Sequence, residues 1–392
     1  MDPDDFTNAA PGRLVPTTYG VLAFVPNPLP RGISLPSATV KRLAMAERAV
    51  GRLSGVTLQE FSPYLVSSPL LHREAILSSR IEGTITTPEQ LVLLEAEETD
   101  QPARAADEDT AEVLNYVRAM QHGLRRLESL PVSLRLIKEL HGVLLSGVRG
   151  ERQDPGTFRR TQNFIGSRAG DSIEDARFIP PPVPDMERAL SELEAYLHDE
   201  TIEDPFLIQL ALIHYQFETI HPFRDGNGRV GRLLIPLIMV AKERLDAPLL
   251  YLSAFFERNR QTYVDLLLRV SQTGDWIRWI DHFLEAVGES ATEATGQATA
   301  LLELRQRYHR RFQKDRSSAR IIRLVDELFQ TPSITIRKAA KVLSLTEQGA
   351  ANNIHKLEDA GVLREVTGGK RNQVFVADEI VRFLYDAPRT GA

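Results

Sequence analysis

A run of twelve residues, His221-Pro222-Phe223-Arg224-Asp225-Gly226-Asn227-Gly228-Arg229-Val230-Gly231-Arg232, lies between two apolar-periodic stretches and limits what this chain can build. The stretch before it, residues 205–217, and the stretch after it, residues 233–245, both read as buried helices. The run itself is polar and contains glycine, so it predicts a turn between two core helices. Gly226 and Gly228 permit torsions that other residues resist. Their N–H groups open the second helix and suit an anion. Arg229 and Arg232 are three apart and share a helix face, where two guanidinium forks suit phosphate oxygens. Asp225 is a hard oxygen ligand, of the kind that holds a magnesium ion bridging phosphates. His221 has the one side chain whose ordinary pKa lies near working pH, so it can accept a proton. Base, metal ligand, anion nest and cation clamp in one turn describe phosphoryl or nucleotidyl transfer. The plainer reading is a helix–loop–helix with a capping histidine and solvated arginines.

At these residues the chain resembles a known family. The run matches the Fic-domain motif HPF-x-(D/E)-GNGR-x-x-R at every specified position. The resemblance implies transfer of AMP from ATP to a Ser, Thr or Tyr hydroxyl of a protein, with Mg2+ as the metal. It makes His221 the base and Asp225 the magnesium ligand. It assigns Gly226, Asn227 and Gly228 to the phosphates and Arg232 to the γ-phosphate. Arg229, Val230 and Gly231 complete the nucleotide-binding run.

A second stretch, Ser78-Ser79-Arg80-Ile81-Glu82-Gly83-Thr84, closes an apolar helix. Gly83 reads as the glycine just past a helix end. Thr87-Pro88-Glu89-Gln90 restarts a helix with a capping box. In isolation Glu82 reads as a solvated glutamate. A carboxylate at a helix C-terminus is opposed by the helix dipole, however, so a cationic partner is expected. The segment is similar to the inhibitory motif of Fic proteins, (S/T)-x-x-x-E-(G/N), through Ser78, Glu82 and Gly83. That resemblance implies that Glu82 pairs with Arg232. An Arg232 fork filled by a carboxylate cannot take the γ-phosphate. It also leaves room for Glu82 to position water and reverse the modification.

Composition sets wide bounds. The 392 residues suggest two to three domains. A net charge of −6 argues against a basic nucleic-acid binder as a whole. No cysteine occurs, which removes disulfide, thiolate-zinc and thiol chemistry and fits a cytoplasmic location. No apolar run reaches membrane-spanning length, and the acidic start lacks a signal-peptide pattern.

In chain order, residues 1–37 read as an extended arm with one short strand near 19–26, and 38–53 as a helix. Residues 96–110 read as an acidic loop, followed by helices over 110–126 and 132–145. Residues 156–182 hold two short apolar runs around a Gly/Asp/Ser-rich tip and predict a β-hairpin. The family resemblance makes it a flap that holds a target segment by strand addition. A helix over 185–197 leads into the central pair. Asn259 and Tyr263 are candidates for an adenine-side wall, and Tyr263 reads equally well as a core aromatic. Residues 286–315 read as a connecting helix. The stretch 317–384 resembles a winged helix-turn-helix, with helices over 336–343 and 346–357 and a hairpin carrying Lys370 and Arg371. In a DNA-binding role Gln348, Asn352, Asn353 and Lys356 would face the groove. Between 317 and 386 only ten Lys/Arg stand against nine Asp/Glu, so domain docking or dimer contact is an equal reading.

The expectation is therefore a mainly α protein: an arm and inhibitory region (1–110), a Fic core with a small flap (111–285), a connecting helix (286–316) and a winged helix-turn-helix (317–392). Its expected partners are ATP, Mg2+ and a protein target, with self-modification. DNA and a homodimer partner stay open, and no membrane is involved. Two other readings stand beside it. One is a DNA-binding transcriptional regulator with a nucleotide-sensing or vestigial core, and the other is a core that transfers a group other than AMP.

Overall fold

The computed structural model describes residues 1–57, 64–98, 107–166, 172–313, 318–369 and 372–385. It begins with β1 (Gly12–Pro16) and β2 (Leu22–Pro26), then α1 (Ser37–Thr57), α2 (Tyr64–Ile81), α3 (Pro88–Glu98), α4 (Glu108–Leu127) and α5 (Leu134–Leu144). The middle holds α6 (Val183–His198), α7 (Phe206–Ile220), α8 (Asn227–Ala241), α9 (Ser253–Arg258), α10 (Arg260–Thr273) and α11 (Trp276–Phe312). The end holds α12 (Ser318–Gln330), β3 (Ser333–Thr335), α13 (Ile336–Leu343), α14 (Glu347–Asp359), β4 (Arg364–Glu365), β5 (Val374–Val376) and α15 (Asp378–Tyr385). The protein is thus mainly helical with two small antiparallel sheets. No helix among the described residues is long and apolar enough to cross a membrane.

The chain divides into two compact units. The first comprises residues 1–49, 118–242 and 252–289, and the second comprises 50–117, 243–251 and 290–392.

In the first unit α7 and α8 form the centre. Along α7 Leu207, Leu210, Ala211, Leu212, Tyr215 and Phe217 are all buried, and along α8 Val230, Leu233, Ile235 and Leu237. Helices apolar on every side belong inside a domain. Trp279 of α11 is fully buried and donates its indole N–H to the Ala211 carbonyl at 2.9 Å, satisfying its one polar atom. The N-terminal arm is more ordered than its proline and glycine content implies. β1 pairs with β2 over five positions, from Gly12 opposite Pro26 to Pro16 opposite Leu22. Phe24 of β2 then donates its N–H to the Ile179 carbonyl at 2.9 Å, so this hairpin backs the segment 172–182. The hairpin expected over 156–182 is slighter than its composition suggests. It contains a single antiparallel bridge, Ile165 with Phe178, and its tip, 167–171, lies outside the described residues.

The second unit gathers α2, α3 and the C-terminal elements around one core. Val92 and Ala96 of α3 pack with Val374, Val376, Val381 and Leu384. Ser68 of α2 donates to the Gln330 carbonyl at 2.5 Å, and Ser333 donates to the Val92 carbonyl at 2.9 Å. The three C-terminal strands run β3-β5-β4, all antiparallel. α13 is capped by Thr335 and α14 by Thr346. The acidic loop's centre, 99–106, and the tip residues Lys370 and Arg371 lie outside the described residues. The connecting helix is not a separate element. It is the second half of α11, which continues unbroken from Trp276.

One buried pair within this unit predicts a pH effect. His72 has no exposed surface, and its Nδ1 lies 2.8 Å from the Ser68 carbonyl while Nε2 lies 2.8 Å from a Glu95 carboxylate oxygen. Both ring nitrogens thus face acceptors, which suits imidazolium. Burial pushes the His72 pKa down, but the charge of Glu95 and the two hydrogen bonds outweigh it, and the net shift is upward. A raised folded-state pKa contributes stability below the unfolded value of about 6.5, and that contribution fades as pH climbs through the folded value. The stability gap between wild type and His72→Gln in urea unfolding is therefore expected to narrow over the pH range above about 6.5. A gap that stays constant across that range contradicts the charged pair.

Candidate active site

α7 ends at His221, whose backbone is left-handed (φ 49°, ψ 61°) and whose N–H still donates to the Phe217 carbonyl at 3.0 Å. A non-glycine residue in that region is strained by about 1–2 kcal/mol, so surrounding contacts must hold it there. They are present. The His221 carbonyl accepts from Arg159 Nε at 3.0 Å and from Asn163 Nδ2 at 3.2 Å. The Pro222 carbonyl accepts from the Arg159 N–H at 2.9 Å, and the Phe223 carbonyl from Asn163 Nδ2 at 3.0 Å. The His221 ring places Nδ1 3.2 Å from the Glu218 carbonyl. A carbonyl can only accept, so Nδ1 carries the proton and the basic lone pair is on Nε2. That is the tautomer a proton acceptor needs.

The turn is then shaped from within. Asn227 is buried and grips Phe223 twice: its Oδ1 accepts from the Phe223 N–H at 2.8 Å and its Nδ2 donates to the Phe223 carbonyl at 2.9 Å. The Asn227 side chain therefore fixes the loop. Gly226 is left-handed (φ 74°) and caps α8 without a side chain. The N–H groups of Asn227, Gly228 and Arg229 open that helix, where no residue four earlier in the helix can accept from them. Asp225 accepts the Gly226 N–H on Oδ1 at 2.7 Å, while its side chain stays 52% exposed. One carboxylate oxygen thus braces the turn and the other faces outward.

Arg229 and Arg232 are buried, at 4% and 3% exposure, so they are not the solvated arginines of the plainer reading. Arg229 Nη2 lies 3.8 Å from Asp225 Oδ2. Arg232 lies near His214, whose pKa is pushed down to about 3 by burial first and by the Arg232 charge second. Gly231 lets α8 approach α7, because a Cβ there would lie 2.2 Å from Glu218 Oε1. No cluster of three or more His, Cys, Asp or Glu side chains occurs among the described residues. One outward carboxylate beside an anion-binding helix start fits a magnesium ion that takes its other ligands from phosphates and water.

Two residues that hold the turn carry no sequence signal. His141 of α5 is fully buried and stacks on Phe223 at 3.7 Å and 8°. Its Nδ1 accepts the Gly156 N–H at 2.9 Å, so Nε2 bears the proton and donates to the Asp225 carbonyl at 3.0 Å. Burial holds it neutral, with its pKa down to about 4. Arg159, the second, donates Nε to the His221 carbonyl. Both lie more than 60 residues before the turn.

The adenine-wall candidates are placed as follows. Asn259 joins α9 to α10 and donates Nδ2 to the Phe255 carbonyl at 3.0 Å. Tyr263 is 3% exposed, stacks on Phe256 at 4.3 Å and shares a hydrogen bond with His214 Nε2 at 2.8 Å. Its ring belongs to an aromatic core with Trp279.

The inhibitory candidates lie in the second unit. Ser78 is fully buried on α2, and Glu82 is exposed just beyond that helix. Gly83 has φ 93°, as a post-helix glycine should. The following segment is stapled to α4: Ile85 N–H donates to Asp109 at 2.8 Å, Thr84 to Glu112 at 3.0 Å, and Thr86 and Thr110 share a bond of 2.7 Å. The capping box forms in both directions, with Thr87 N–H on Gln90 Oε1 at 2.9 Å and Gln90 N–H on Thr87 Oγ1 at 3.2 Å. On α14 Gln348, Asn352 and Lys356 are exposed, but Asn353 is buried and donates to the Gly349 carbonyl at 2.7 Å, so it leaves the expected groove face.

Fold and turn together define a helical domain whose central helix–turn–helix carries a histidine, an aspartate and the backbone amides of a helix start. The family follows from comparison with known proteins. Residues 40–125 match the Fic/DOC family N-terminal model and residues 131–239 the Fic/DOC family model, and the chain belongs to that family. It is 31% identical over 131 residues to a protein adenylyltransferase Fic of Drosophila grimshawi, covering 33% of this chain and 25% of that protein. It is 29% identical over 213 residues to a probable protein adenylyltransferase of Aquifex aeolicus, covering 54% and 57%. The chain therefore spans between a quarter and just over half of these relatives. A Fic family protein from Desulfovibrio desulfuricans G20 shares the fold at 19% identity with a TM-score of 0.56, over 89% of this chain and 98% of that one.

Proposed function

We propose that the protein is an adenylyltransferase that moves AMP from ATP to a protein hydroxyl, and that Glu82 holds it inactive. What supports this most is the His221 tautomer beside the open start of α8, with two buried arginines one turn along. Nε2 of His221 takes the proton of a Ser, Thr or Tyr hydroxyl on a target docked against residues 156–182. The freed oxygen attacks the α-phosphorus in line, and the bond from the α-phosphorus to the bridging oxygen breaks. An AMP ester forms and pyrophosphate leaves. The α8 N–H groups stabilise charge on the phosphate oxygens, and Arg232 holds the γ-phosphate. Magnesium held by Asp225 would neutralise phosphate charge as the leaving group departs. With its carboxylate on Arg232, Glu82 would exclude the γ-phosphate and leave the α-phosphate misaligned. The same carboxylate would be able to position water for removal of AMP.

The group transferred is tested with labelled ATP. Protein incubated with magnesium and ATP labelled at the α-phosphate is expected to become labelled, and protein given γ-labelled ATP is not. Label arriving from the γ-position would make the core a phosphotransferase.

A second reading concerns the C-terminal module alone. Exposure of Gln348, Asn352 and Lys356 along one face of α14 favours a nucleic-acid or docking surface. A gel shift with DNA from upstream of the protein's own coding sequence separates these, because docking predicts no shift.

A further inference from the structure

Arg159 is the least expected charge in the first unit. It is 1% exposed, and among the described residues no carboxylate pairs with it. Burying a guanidinium without a counter-ion costs several kcal/mol unless its donors are satisfied, and here backbone carbonyls do that work. Nε donates to His221 at 3.0 Å, Nη1 to Thr161 at 3.1 Å and Nη2 to Pro181 at 2.5 Å. Its own N–H donates to Pro222 at 2.9 Å. Burial lowers its pKa to about 10, which still leaves it charged. A methyl-rich side chain of similar volume would satisfy packing more cheaply. The three carbonyls share one property: they belong to the two limbs of residues 156–182 and to the strained residue that carries the base.

We propose that Arg159 is a positioning residue that ties both limbs of the target-docking segment to the carbonyl of His221, so that seating a target strand and aiming the base are one event. The inference rests on the adenylyltransferase reading for what docks there, but the linkage itself is geometric. A planar fork reaches three divergent carbonyls at once, whereas a lysine ammonium on a single stem cannot span them. Asn163 adds the neighbouring contacts to His221 and Phe223.

The test uses the full chain with Glu82→Gly as parent, alone and with Arg159→Lys. Nucleotide affinity, turnover of α-labelled ATP onto protein, and the histidine side-chain nitrogen resonances are measured. Arg159→Lys is expected to keep the nucleotide Kd within about twofold and to cut kcat about 10- to 100-fold, as a misplaced reacting group does. The His221 resonances are expected to move from an Nδ1–H tautomer towards an average of both. Unchanged tautomer and unchanged kcat would overturn the proposal, and so would a loss carried wholly by nucleotide affinity. The resonance readout needs no turnover. If the parent transfers nothing, the adenylyltransferase reading falls while the tautomer still decides the role of Arg159. Should Arg159→Lys fail to fold, Asn163→Ala removes part of the same tether. It is then expected to shift the same resonances, and their constancy would overturn the proposal.

Discussion

Replacing Glu82 by glycine is expected to raise self-modification from α-labelled ATP by roughly 10- to 100-fold, the range of a 1–3 kcal/mol coupling. Glu82 and the γ-phosphate would compete for one guanidinium, that of Arg232. Glu82 follows the C-terminus of α2, where the helix dipole opposes a carboxylate and favours a cationic partner. Its setting is firm on the other side. Gly83 turns the chain at φ 93°, and Thr84, Ile85 and Thr86 are bonded to the start of α4. The backbone just after Glu82 is thus held in place by these bonds. Glycine at 82 removes the charge, and under the proposed autoinhibition Arg232 would then be available to the γ-phosphate. Equal labelling of wild type and Glu82→Gly would refute autoinhibition. It would leave the chemistry of the turn untouched.

The second large effect is the loss of transfer in His221→Ala. General-base catalysis accounts for about 10²- to 10⁴-fold of rate, and the deficit should fall in that range. Nucleotide affinity should change little. In the proposed reading α8 and its arginines would hold the phosphates, while His221 would address the incoming hydroxyl. The measurement is a pair, nucleotide Kd by calorimetry and label transfer in the Glu82→Gly background. A variant that retains transfer would remove His221 from the mechanism. One that loses transfer and nucleotide binding together would make its role structural.

The residues of the turn were legible because they are contiguous. Base, acid, glycines and arginines sit in twelve successive positions, and spacing alone puts them on one loop and one helix face. The capping box at Thr87 and Gln90 and the left-handed Gly83 were legible for the same reason, being local. What supports the turn was not. His141 and Arg159 reach it through tertiary contacts, and a lone histidine or arginine in a helix or loop carries no mark of a buried partner. The β1–β2 hairpin was hidden because Pro16 and Pro26 stand at strand ends, where composition reads as irregular arm although proline is tolerated there. Asn353 was misplaced by adjacency. Neighbours on a helix point about 100° apart, and Asn353 falls on the buried face with Ala350, Ile354 and Leu357 while Asn352 does not.

The most direct measurement is the intact mass of two proteins after incubation with ATP and magnesium: the Glu82→Gly chain and the same chain with His221→Ala added. The first is expected to gain mass in whole adenylyl groups and the second to stay at its starting mass. No gain in the first, a gain of some other group, or an equal gain in both would contradict the account.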